Sequence, residues 1–149
     1  MELVNLLGEY HDDIVVVGGW APALLIPQDK ARHVGSMDVD LALNHKTLRD
    51  PGYKTIRDLL LGRGYRQDED QPFIFWRTVT VEERPVEIEV DLLTGEYEGT
   101  ARKHRTQEVP DVRARKTRGC EWTFQFVAEV SIEGTLPDGA RDKATVRIA

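Results

Sequence analysis

Two stretches decide how this chain folds: Ile14-Val15-Val16-Val17-Gly18-Gly19-Trp20-Ala21 and Asp38-Val39-Asp40-Leu41-Ala42-Leu43. The first is a β-branched run closed by two glycines, which reads as a buried strand ending in a tight turn. Trp20 to Leu25 then resumes as a helix that stops near Pro27. The second stretch alternates strictly, so it reads as a strand. Its two carboxylates share one face, while Val39, Leu41 and Leu43 face a core.

On the N-terminal side, Leu3, Leu6, Leu7 and Tyr10 stand at helical spacing and predict a short amphipathic helix over residues 2–11. Residues 28–36 are polar and read as a loop. Asp50-Pro51 marks a helix start, and Tyr53, Ile56, Leu59 and Leu60 carry its apolar stripe down to Gly62 and Gly64. Residues 73–79 and 86–93 read as strands joined by a charged turn at 81–85, and 94–119 as a long basic connection. Trp122, Phe124, Phe126, Ala128, Val130 and Ile132 alternate and predict one long strand. Leu136-Pro137-Asp138-Gly139 turns it back through Ala144, Val146 and Ile148. The expected fold is α/β (α+β), a mixed β-sheet flanked by helices. Residues 1–93 form its core, and 94–149 add the basic connection and a C-terminal β-hairpin to the same domain.

A length of 149 residues suits one domain, which at this size buries roughly 68–70% of its unfolded surface. The one cysteine, Cys120, cannot form an internal disulfide, so a reducing, cytoplasmic setting is expected. The most apolar stretch, residues 14–27, is interrupted by Gly18, Gly19, Pro22 and Pro27 and is too short to span a membrane. Met1-Glu2-Leu3-Val4 lacks the basic start of a secretory signal. The chain is net −6, yet residues 101–118 hold seven Lys/Arg against two acids. The protein is therefore electrically divided, with a positive segment fit for a phosphate backbone.

Three features carry chemistry. Gly18-Gly19, at a strand-to-helix turn, lets backbone amides approach a phosphate closely; its ordinary reading is a turn and nothing more. Asp38 and Asp40 repel one another unless a cation lies between them, and hard carboxylate oxygens suit Mg²⁺; the plain alternative is a solvated strand face. Val86-Glu87-Ile88-Glu89-Val90-Asp91-Leu92 alternates again and brings Asp91 near a strand end, with Glu87 and Glu89 as polar face. Elsewhere His11, His33, His45 and His104 are scattered and make no zinc set. Cys120 reads as a small core residue. Trp20, Trp76 and Trp122 read as core, with Trp76 beside the site as a candidate to stack a base.

Val16-Val17-Gly18-Gly19-Trp20-Ala21, Arg32…Ser36-Met37-Asp38-Val39-Asp40-Leu41 and Val90-Asp91-Leu92 together resemble the nucleotidyltransferase superfamily of the DNA polymerase β type. The likeness is to its minimal bacterial branches, the AbiEii-like toxins and the MNT-type antitoxins, over about residues 1–93. It implies Mg²⁺-dependent transfer of an NMP from an NTP to a hydroxyl of RNA (tRNA included) or protein, with pyrophosphate leaving. Asp38 and Asp40 would bind both Mg²⁺ ions, and Asp91 would hold the catalytic one beside the acceptor hydroxyl. Two such ions, about 3.5–4 Å apart, clamp the attacking and leaving oxygens. Gly18 and Gly19 would cradle the triphosphate, Ser36 would donate a hydrogen bond nearby, and Arg32 would meet a phosphate. The resemblance also implies a cognate toxin or antitoxin as partner, and a helical domain after the core. That domain is missing from this sequence, which stops at Val146-Arg147-Ile148-Ala149 and reads as a fragment.

Two other classes stay open. One is a non-catalytic relative that senses a nucleotide or binds a partner, self-associating through the edge of the C-terminal hairpin. The other is an RNA-binding module using residues 101–118, whose affinity would fall steeply with salt.

Overall fold

Three of the four side chains of β1 (Ile14–Val17) are buried, and the strand lies inside the sheet, as an apolar run without a polar face must. The computed structural model describes residues 1–26, 37–44, 47–48, 55–81, 83–95, 106–109, 112–136 and 139–149, with backbone alone for 106–109 and 112. β1 pairs antiparallel with β2 (Asp38–Leu43) on one side and parallel with β9 (Arg141–Ile148) on the other. β2 runs parallel to β5 (Arg84–Thr94), and β5 pairs antiparallel with β4 (Ile74–Val81). The short β3 (Arg66–Gln67) and β8 (Ala128–Thr135) complete the order β3-β4-β5-β2-β1-β9-β8.

β5 is long enough to serve three neighbours. β2 holds one of its edges from Glu89 to Thr94. On the other edge β4 stops at Asp91, and β7 (Val112–Lys116) pairs parallel with Leu93 and Thr94. A strand has only two edges, so β7 continues the edge that β4 leaves. β6 (Thr106–Val109) closes a hairpin onto β7.

Alternation then sorts the side chains. One face presents Ile14, Val16, Leu41, Leu43, Phe75, Val90, Leu92 and Ile148. It is covered by α1 (Glu2–Leu6), α2 (Trp20–Leu25) and α3 (Ile56–Gly62) through Leu3, Leu24, Ile56 and Leu60. Glu2 ties α1 to the far side of this core by ion pairs to Arg63 (2.5 Å) and Arg77 (2.8 Å). The opposite face is split. Val15, Ala42, Leu93 and Cys120 of α4 (Cys120–Thr123) form a small second core. Two residues earlier along β2 and β5 the same face is acidic.

The α+β class and the elements at 14–17, 20–25 and 38–43 match expectation. Four details differ. The first helix ends at Leu6 and continues as a 3-10 segment, Gly8–Asp13, kinked at Tyr10. The described part of the third helix starts at Ile56, where the Thr55 hydroxyl caps it by accepting from the Asp58 amide at 3.2 Å; Asp50, Pro51 and Tyr53 lie outside the described residues. The connection 94–119 contains β6 and β7. Finally, the strand expected from Trp122 begins only at Ala128. Gly119, at φ +82°, instead starts a helical turn that sends Cys120, Phe124 and Val127 inward. Trp122 and Phe126, four apart, are left 57% and 73% exposed, so Trp122 is not core. Phe75 and Leu60 are fully buried. Phe75→Ala should therefore lower stability by about 3–5 kcal/mol and Leu60→Ala by about 2–5 kcal/mol. Loss of the cap in Thr55→Ala should cost about 1 kcal/mol. Urea unfolding checks all three.

Candidate functional site

The site begins where β1 ends. Gly18 has φ +72°, a left-handed conformation, and the Ala21 amide donates to its carbonyl at 3.1 Å to close the turn into α2. A β-carbon at Gly18 would lie 2.0 Å from Asp40 Oδ2. The turn therefore rests directly on the Asp40 carboxylate, and only glycine fits there. Gly19 follows as the N-cap of α2, with helical backbone angles.

Register does the rest. In the parallel β2–β5 pair, Asp38 is opposite Glu89 and Asp40 opposite Asp91, so four carboxylates share one face of two adjacent strands. Their exposure is graded: Asp38 exposed, Asp40 and Glu89 half-buried, Asp91 at 5%. Burial raises the pKa of Asp40, Arg115 opposes that rise and Asp38 adds to it. Glu89 is raised by burial and then by Asp38 and Asp40. Asp91 is pushed up to about 6, chiefly by burial, against the pull of Arg115 and with repulsion from Asp40 and Glu89.

Arg115 is the residue that sequence reasoning missed. Its Nη2 lies 2.5 Å from Asp91 Oδ2, and its guanidinium sits 5.7 Å from the centroid of the Phe73 ring. β7 delivers it, because Arg115 is in register with Leu93, two residues beyond Asp91 on the same face. The alternation Val112-Arg113-Ala114-Arg115 was a legible strand signal inside the basic run. Glu89, read earlier as plain polar face, also belongs to the cluster. Glu87 does not: it pairs with Arg66 at 3.4 Å on the exposed surface. Trp76 lies opposite Glu89, half-buried, its indole nitrogen donating to Asp68 Oδ2 at 3.1 Å. Ser36 and Arg32, like His33, His45 and His104, lie outside the described residues. Cys120 is buried and its thiol is pushed up to about 11 by burial, in keeping with a core role.

The donor set is what a hard divalent cation takes, and Asp91 Oδ1 is buried without a hydrogen-bond partner. Yet among the described residues no group of three or more His, Cys, Asp or Glu is disposed to hold a metal ion; in this arrangement Asp91 is engaged by Arg115 instead. No helix of the described residues is long and apolar enough to cross a membrane. Comparison with known proteins returned no match: no family model, no curated protein and no solved structure is significantly similar to this chain.

Two outcomes follow from this geometry. Gly18→Ala must strain both the turn and Asp40, and should destabilise the protein by about 1–3 kcal/mol in thermal melts. Asp91 has a raised pKa, so between about pH 4 and 6 the native state holds a proton that the unfolded chain has released. Stability therefore falls as pH rises through that window and stays at the lower level above it. Asp91→Asn should be more stable than the natural chain at pH 7.5, by on the order of 1–3 kcal/mol, and the gap should close toward pH 4. A less stable Asp91→Asn at pH 7.5 would mean that the Arg115 ion pair outweighs burial.

Proposed function

We propose that this chain is a divalent-metal-dependent nucleotidyltransferase core. One observation carries the reading: the left-handed glycine of the β1 turn lies against Asp40, which is in register with the buried Asp91. A backbone turn fit for phosphate, beside carboxylates fit for a cation, is the pairing that handling of an NTP requires. Asp38, Asp40 and Asp91 would hold Mg²⁺, which when bound neutralises the triphosphate and favours loss of the acceptor proton. Gly18 and Gly19 would present backbone amides to the phosphates. The acceptor hydroxyl, from RNA or protein, forms a bond to the α-phosphorus; the bond to the β-phosphate breaks, pyrophosphate leaves with the electron pair, and the proton passes to water. β7 adds Arg113 and Arg115 at the margin, a positive surface for a nucleic-acid acceptor. A cognate toxin or antitoxin is a further candidate partner.

A second reading has its own observation. Because Arg115 engages Asp91 and no three-acid group is disposed for metal among the described residues, the chain would bind nucleotide or a partner without transfer. β8, at the rim of the sheet, offers its outer edge for self-association, although Glu129 and Glu133 charge it.

Transfer of radiolabelled phosphate from [α-³²P]NTPs to total RNA or protein separates the two. In the first reading label is incorporated, and Asp38→Ala or Asp40→Ala lowers it by about 10³-fold or more, the loss of several kcal/mol of charge stabilisation. Undiminished transfer in both variants sinks that reading. Nucleotide binding without any transfer supports the second.

A further inference from the structure

We propose that Arg115 is a built-in cation of the acidic site, holding Asp91 when no divalent ion is bound and moving onto the nucleotide phosphates when one is. The inference rests on the nucleotidyltransferase reading and adds a side-chain partner for the triphosphate, which the glycine turn alone does not provide.

The geometry is that of a placeholder. Asp91 is almost completely buried, yet only one of its oxygens is served: Oδ2 accepts from Arg115 at 2.5 Å, while the buried Oδ1 has no hydrogen-bond partner. A half-satisfied buried carboxylate is poorly stabilised, and a stronger cation would displace a weaker one from it. Asp38, Asp40, Glu89 and Asp91 share one face of two adjacent strands, and among the described residues Arg115 is a cation whose attraction is felt at Asp40, Glu89 and Asp91 alike. A divalent ion brings twice the charge of a guanidinium to the same oxygens.

Arg115 is also placed to move. Its side chain is 46% exposed, whereas that of Asp91 is 7% exposed. Among the described residues β7 meets β5 at two register pairs, with the Thr117 amide donating to the Thr94 carbonyl at 2.9 Å just beyond them. The Phe73 ring, 5.7 Å away, gives the guanidinium a face to lie on once it leaves the carboxylate. A released guanidinium stays at the margin of the site. Its planar fork of N–H donors matches a phosphate better than an ammonium does. The same residue thus offsets the acids in the empty site and the phosphates in the filled one.

Calorimetry on the whole chain tests this, first with Mn²⁺ alone and then with non-hydrolysable NTP analogues at saturating Mn²⁺. Arg115→Met should bind Mn²⁺ about tenfold more tightly than the natural chain, because the competing cation is gone. At saturating Mn²⁺ it should bind the best analogue about tenfold more weakly, because a charge-assisted phosphate contact is lost. Arg115→Lys, which keeps the charge but not the fork, should fall between on both counts. Unchanged or weaker Mn²⁺ binding in Arg115→Met overturns the proposal. If that variant does not fold, Arg115→Lys decides: Mn²⁺ affinity higher by about two- to threefold supports it, and equal or lower affinity overturns it. Mn²⁺ binding that is abolished in Asp40→Asn but indifferent to Arg115 overturns this inference alone. No Mn²⁺ binding to the natural chain or to either Arg115 variant overturns the nucleotidyltransferase reading and this inference with it.

Discussion

The parallel pairing of β2 with β5 governs the rest of this molecule. Its register places Val39, Leu41 and Leu43 beside Val90, Leu92 and Thr94, and Asp40 beside Asp91. Side chains alternate with period two, so a slip of one residue would carry the acids into the main core and the leucines out of it. The apolar face is buried against three helices, and that burial holds the register in place. The hydrophobic core and the acidic cluster are therefore two faces of one constraint. The protein cannot gain the first without assembling the second.

Bringing four carboxylates together works against stability, and the fold answers locally. Asp38 stays at the exposed end of the strand, Asp40 and Glu89 are half covered, and Asp91, the most buried, receives Arg115. Burial still outweighs the ion pair, as the raised pKa of Asp91 records. This is the usual balance for a buried charge: an ion pair reduces the desolvation penalty without removing it. Groups with strongly perturbed pKa beside a glycine turn are where function is sought, because a stable core alone has no use for them.

Much of this site was readable in the sequence, and the reasons are local. Asp38 and Asp40 share a face because they are two apart in a strand, and Gly18-Gly19 marks a turn because a β-branched run stops there. The misread elements share a cause too. Trp122, Phe124 and Phe126 satisfy a strand's alternation, but Cys120, Phe124 and Val127 also satisfy a helical turn, and packing on Val15, Ala42 and Leu93 chose the second. Arg115 was hidden in a basic run whose members look alike in sequence; only its register against Leu93 separates it from its neighbours.

The sequence by itself determined the local elements around β1 and β2, the face each acid would share, and the glycine turn, because strand alternation and backbone freedom are properties of neighbouring residues. Only the tertiary structure decided that β9 runs parallel to β1 and β5 parallel to β2, that β7 takes over the edge that β4 leaves, and that Asp40, Glu89, Asp91 and Arg115 meet. Strand pairing joins residues far apart in the chain and is settled by which apolar faces can be buried together. No local pattern encodes that choice.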